Sequence, residues 1–306
     1  MTVGPNGSCR MTVAGDSRSD RSSGGLGAFA CLADRGLRLV LPAAIFLVLA
    51  FALPILGIVG RSLFDPDLTL KNYAEVLRAP STVKVFLNTF RIALEVTVVT
   101  AVLGYLLAYG MARARGRWAA VMLGAVMLPL WTSDLVRTFS WTIILGRRGP
   151  LNTLLMDIGL IDRPLSLLFN EVAVVIGTTH ILMPMMVLPL YAAMRAVDRR
   201  LVLAALSLGA SPFAAFRDVF VPLTLPGFIA GALLTYVLAV GMYVTPAALG
   251  SPETTMIAQV IETQGRRQLD WGTATALSTL LLLAVAVSLA VAQRVGRVSR
   301  TMMGQS

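Results

Sequence analysis

The sequence predicts an all-α fold, an integral membrane bundle of six transmembrane helices. Three observations carry that expectation. Of 306 residues, 56% are hydrophobic and only 14% charged, where a soluble domain carries about a quarter. The mean hydropathy is +0.76. The apolar residues fall in long uninterrupted blocks, divided by short stretches that carry arginine.

Residues 1–37 are rich in Ser, Gly and Arg and poor in apolar side chains, which reads as a disordered cytoplasmic tail. The first apolar block starts too far in and runs too long for a cleaved signal peptide. A second Met-Thr-Val at Met11 leaves Met1 and Met11 as alternative starts. Leu39–Gly60 then supplies span one, enough at about 1.5 Å per residue to cross a core of roughly 30 Å. Span two is Val96–Ala112, extended upstream across Glu95 and Arg91 to about Val85. Span three, Trp118–Ser133, is short. Span four is Val172–Met194. The charge-free block Val219–Pro252 exceeds one span, so span five is expected to be followed by a re-entrant or loop portion around Pro246–Pro252. Trp271–Gln293 is span six. The six-span domain thus covers 38–294, and 295–306 forms a second cytoplasmic tail.

The net charge is +10, and all the basic residues except Lys71 and Lys84 are arginine. Arg113, Arg115 and Arg117 lie between spans two and three. Arg195, Arg199, Arg200 and Arg217 lie between four and five. Arg294, Arg297 and Arg300 follow span six, and Arg10, Arg18, Arg21, Arg35 and Arg38 precede span one. Six spans bring all four groups to one side, so both termini are expected in the cytoplasm. Arginines placed beside apolar blocks set topology, and no nucleic-acid partner is expected. Cys9 and Cys31 both precede span one and make no disulfide framework.

The loop between spans four and five is more structured than a connection requires. Leu201, Ala204, Ala205 and Leu208 share one helical face, and its alanines admit a close neighbour. Gly209 suits a helix end, Ser211 a new N-cap and Pro212 the first helical position. Phe213, Phe216 and Phe220 then form an apolar stripe, and Pro222 and Pro226-Gly227 punctuate the return into span five. Such a pair of short helices suits docking into a partner's groove. The alternative is packing against the chain's own spans or the bilayer surface.

Several stretches carry a resemblance: Asn72–Leu77 (NYAEVL), Pro129–Trp141 (PLWTSDLVRTFSW), Gly149–Leu155 (GPLNTLL), Met183–Met194 (MPMMVLPLYAAM), Leu208–Ala210 (LGA), Val221–Gly231 (VPLTLPGFIAG) and Val244–Gly250 (VTPAALG). In order and spacing they span about Leu37–Gln293. There the chain resembles the spermidine/putrescine-type permeases of ABC importers, and its cytoplasmic loop resembles their EAA loop. The resemblance implies a type I ABC importer permease in the bacterial inner membrane, working by alternating access. The substrate it implies is a polyamine or another small solute. The implied partners are cytoplasmic ABC ATPase subunits, a second permease subunit, identical or different, and an extracytoplasmic substrate-binding protein, with the lipid bilayer as surroundings. The coupling loop, about 201–222, would engage the ATPase through Leu203, Ala204, Ala205, Gly209, Ala210, Phe213, Phe216 and Pro222. At the motif's Glu position this chain has Leu203, and at its following Asp position Ser207. A further acid of the family, after the Gly that precedes VTP, is replaced by Met242.

No G-x-x-x-x-G-K-[ST] motif surrounds either lysine, so ATP is expected to be used by the partner subunits and no cofactor is expected in this chain. An enzyme is not expected: the single His180 has no Cys or Glu at ligand spacing. A passive channel or facilitator is the rival function, although no filter-like ring of charges or carbonyl-rich motif is visible. Candidates for the substrate path are ionisable and aromatic residues near the membrane. Glu95 stands four residues from Arg91, and the two either neutralise each other or face the path. Asp134 and Arg137 lie at the outer end of span three with Trp131 and Trp141, which serve either as interface anchors or as an aromatic vestibule for a cationic amine. Tyr236 and Tyr243 complete the set.

Overall fold

The computed structural model describes residues 2–3, 9–10, 24–64 and 71–302, with side chains over 41–64 and 72–294. Residues 1–60 form one unit and 61–306 a second. In the first, Thr2–Val3 pairs antiparallel with Cys9–Arg10, and helix α1 (Gly24–Phe64) continues across Gly60. Its Leu41–Phe64 stretch has a hydropathy of 2.6 and exposes Phe46 and Phe51. Helix begins at Gly24, inside the segment read from composition as a tail. The rest of that segment's tail reading, at 1, 4–8 and 11–23, lies outside the described residues.

The second unit contains α2 (Lys71–Arg78), α3 (Pro80–Arg113), α4 (Arg117–Met127), α5 (Asp134–Ile144), α6 (Pro150–Asp157) and α7 (Glu171–Ala196). It continues with α8 (Arg199–Ser207), α9 (Pro212–Ala215), α10 (Val221–Val240), α11 (Val244–Leu249), α12 (Ile257–Glu262) and α13 (Trp271–Met302). The C-terminal tail expected from 295 is helical as far as Met302, and 303–306 lie outside the described residues.

Among the described residues, five helices are long and apolar enough to cross a membrane. The third expected span, Trp118–Ser133, coincides with the segment Arg117–Trp131 and ends at a bend. The segments Arg117–Trp131 and Asp134–Ile144 meet at a bend of 103°, so six spans result only if this broken pair counts as one. Its cause is local: a 3₁₀ turn at Leu128–Trp131 tightens the chain around Pro129, and Thr132 and Ser133 are extended. The Val219–Pro252 block divides as expected. Helix α10 ends at Val240, and α11 and a 3₁₀ turn at Pro252–Thr254 occupy the remainder.

At the centre α7 lies against α3 and α10. Met186 of α7 is fully buried, and glycines face it from both sides. A Cβ on Gly104 of α3 would sit 2.9 Å from Met186 Cγ, and one on Gly231 of α10 would sit 2.9 Å from both its carbonyl oxygen and its sulfur. Gly227, one turn earlier on α10, abuts Ala193 and the Pro189 carbonyl. Lipid tails offer helices no hydrophobic reason to associate, so close backbone approach through small residues supplies the dispersion contact. Near the other end of α7, Gly177 admits α11, where a Cβ would meet Leu249 Cδ1 at 2.5 Å and Thr245 Cγ2 at 3.0 Å.

Gly231→Val is therefore expected to cost about 1–3 kcal/mol or more through overpacking. Ala230→Val, on the exposed side of the same turn, is expected to be near neutral. Thermal-shift size-exclusion profiles of the two detergent-solubilised variants check this, and equal melting temperatures would contradict the close-packed crossing.

Candidate coupling site and substrate path

The loop helices are defined by their ends. Asp198 caps α8 by accepting from the Arg200 amide at 2.9 Å. At its other end Gly209 takes φ +92°, the Gly209 amide donates to Leu206 O at 3.0 Å, and the Ala210 amide donates to Ala205 O at 3.1 Å. This is a Schellman closure, and it needs glycine at the left-handed position. Ser211 accepts from the Ala214 amide at 3.2 Å and Pro212 opens α9, as the sequence predicts.

Beyond α9 the structure departs from the sequence pattern. Phe216–Phe220 is a π turn running directly into α10, so the helix is continuous from Pro212 to Val240. Pro222, half-buried in the first turn of α10, and Pro226 inside it therefore do not break the chain. The Val221 amide reaches back to Phe216 O, and this wider turn precedes a residue that has no amide hydrogen. It also divides the phenylalanine stripe. Phe216 and Phe220 stack at 5.6 Å and 20°, with Tyr109 edge-on to them at 5.3 and 5.6 Å. Phe213, 70% exposed, does not join them.

The two faces of α8 are distinct. Leu201, Ala204 and Leu208 are exposed and Ala205 is half-buried, as is Ala210 after the turn. The other face, with Arg199, Val202, Leu203 and Leu206, lines a cleft of about 760 Å³ bounded by α9, the π turn and the C-terminal ends of α3 and α7. Phe213 and Phe216 line the same cleft. The residues expected to act as one docking element thus divide: Leu203, Phe213 and Phe216 face the cleft, and the alanine face and Gly209 lie outside it.

Asp134 and Arg137 pair across one turn of α5, with Asp134 53% exposed and Arg137 only 10%. The Nε and Nη1 groups of Arg137 are buried without a hydrogen-bond partner. Trp131 is 89% exposed at the bend. Trp141 is turned inward and donates its indole N–H to His180 Nδ1 at 3.3 Å. The lone histidine is thus partnered, and it borders a cavity of about 270 Å³ with Met122, Pro129 and Met183. A contact of 3.1 Å between the Thr138 and Thr245 hydroxyls ties α5 to α11.

Arg91 lies 3.8 Å from Glu95, and its shorter contact, 2.5 Å, is to Glu171 on α7. Glu95 also stands beside Glu171, so two carboxyl groups meet one guanidinium. Nothing in the spacing of Glu171 predicted this, because its partner lies a whole span away in sequence. Tyr236 is half-buried against the cluster around Ile92 and Val174, and Tyr243 is 41% exposed ahead of α11. Among the described residues, no group of three His, Cys, Asp or Glu could hold a metal ion.

Residues 100–299 match the family described as binding-protein-dependent transport system inner membrane component. The spermidine/putrescine transport system permease protein PotB of Escherichia coli K12 is 35% identical over 82% of this chain and 94% of its own length. The PotB of Haemophilus influenzae is 34% identical over 74% and 80%. The chain belongs to this family. Its members are inner-membrane transport subunits, not catalytic proteins, and the permease shares their multi-pass helical character. A crystal structure of a bacterial alginate ABC transporter, in complex with an alginate pentasaccharide-bound periplasmic protein, shares the fold. It matches with a TM-score of 0.69 at 16% identity, over 91% of the permease and 98% of that chain.

The Schellman closure provides a test within the loop. A Cβ on Gly209 would meet nothing within 4 Å, so Gly209→Ala is opposed by the backbone alone, at about 1 kcal/mol. Exchange of the Ala210 amide is expected to quicken about fivefold, measured by hydrogen–deuterium exchange on the detergent-solubilised chain. Unchanged exchange would contradict the closure.

Proposed function

We propose that the permease is one transmembrane subunit of an ATP-driven polyamine importer, working by alternating access. One observation carries this: identity of 35% to a spermidine/putrescine permease extends over 94% of that relative's length. Its partners in this reading are two cytoplasmic ATPases, a second permease subunit and an external binding protein, and ATP is bound by the ATPases. Both termini lie in the cytoplasm, on the side of the arginine-bearing loops. The ATPase engages the alanine face of α8 with Gly209 and Ala210, and Phe216, Phe220 and Pro222 carry the motion into α10.

On the outer side the path is suited to a cation. Asp134 offers an exposed carboxylate beside Trp131, and the Arg91–Glu95–Glu171 cluster carries one more carboxyl than guanidinium. Asp134 meets an incoming ammonium and exchanges its Arg137 contact for it. Trp141, Tyr236 and Tyr243 supply aromatic surface farther in.

Uptake of radiolabelled putrescine and spermidine into proteoliposomes holding the permease with its ATPase, second permease and binding protein tests the reading. Uptake should require ATP, and Asp134→Asn should lower it about tenfold or more, the worth of one charge-assisted hydrogen bond. Ala205→Arg with Gly209→Arg should remove the ATPase from the purified complex. ATP-dependent uptake of a different solute would overturn the polyamine assignment alone. Uptake without the ATPase would overturn the importer.

A further inference from the structure

The cleft inside the coupling loop has a chemistry that docking of α8 on a partner does not use. Its rim carries Arg113, Arg115, Arg195 and Arg199, and no Asp or Glu lines it. Arg113 donates to the Tyr109 hydroxyl at 2.5 Å and lies over that ring. Among the described residues, Arg115, Arg195 and Arg199 enter none of the ion pairs seen. Leu203 also faces this cleft and adds no charge to offset the rim. Below the arginines the lining is apolar, from Met194, Ala215 and Phe216.

Three features identify the ligand. Four like charges around a concave site call for an anion with several oxygens, and guanidinium forks suit phosphate. The arginines stand where α3 and α7 end, at Arg113 and Ala196, which is the level of lipid headgroups for helices that span a bilayer. The apolar floor under a charged rim matches a molecule that is itself amphipathic. A soluble acidic segment of the ATPase fits less well, because the alanine face of α8 is offset from the cleft face by two residues, about 200° around the helix. A partner on that face approaches from the other side.

We infer that this cleft binds the phosphate headgroup of an anionic phospholipid, which braces α8 and α9 against the ends of α3 and α7. The inference is independent of which solute the permease carries.

The probe is phosphatidylglycerol, read by native mass spectrometry of the delipidated full-length chain, with phosphatidylcholine as comparison. The wild type is expected to retain phosphatidylglycerol selectively. Arg115→Gln with Arg199→Gln should weaken retention about thirtyfold, at roughly 1 kcal/mol per arginine, and Arg147→Gln with Arg148→Gln should leave it unchanged. A second readout needs no loss of charge. With Cys9 and Cys31 replaced by serine, maleimide labelling of Leu206→Cys should slow at least severalfold on adding phosphatidylglycerol, while Leu208→Cys on the opposite face should not respond. Equal retention of both lipids, or no protection at Leu206→Cys, overturns the site. Protection given equally by glycerol 3-phosphate would make it a small-anion site, and protection by hexaglutamate alone would assign it to an acidic partner segment. Either result overturns the lipid.

Discussion

The approach of two helix backbones to Met186 is the constraint on which the rest of the second unit depends. Gly104 on α3 and Gly231 on α10 leave no room for a side chain on either flank of α7, so these three helices behave as one close-packed stack. One end of it brings Arg91 of α3 to Glu171 of α7. The other end brings Tyr105 and Tyr109 of α3 to Phe216 and to Thr224 of α10. The two candidate regions adjoin the same packed core, and an interior at crystalline density transmits strain.

Elements set by neighbouring residues were legible in the sequence. The caps at Gly209 and Ser211 follow from hydrogen bonds that close within five residues, and the long apolar blocks at α1, α3, α7, α10 and α13 coincide with helices. The third block ends where the chain turns, and hydropathy records where lipid is tolerated and not which way the chain runs. Pro129 and the extended Thr132–Ser133 turn it through 103° without adding a charge. The phenylalanine stripe was half right. Helical spacing placed Phe213 with Phe216 and Phe220, whereas a π turn alters that spacing, and it packs against Tyr109 from a distant part of the chain.

The region around α5 shows the same division. The Asp134–Arg137 pair lies within one helical turn and was readable. The pairing of Trp141 with His180 and of Arg91 with Glu171 required α5 and α3 to meet α7, which no local spacing encodes. A histidine that was ambiguous alone becomes a partnered group once the indole beside it is located. Arg91, matched by spacing to Glu95, makes its tighter contact with a residue on another helix.

The unbroken helix from Pro212 to Val240 has a mechanical consequence. A loop joined to a span by a flexible hinge would dissipate a push as local bending. Here Phe213 and the residues that grip Met186 at Gly231 belong to one continuous helix, which contains the π turn and Pro226. A push on such a helix is carried along it to the glycine crossing, where the close fit against Met186 resists both sliding and turning.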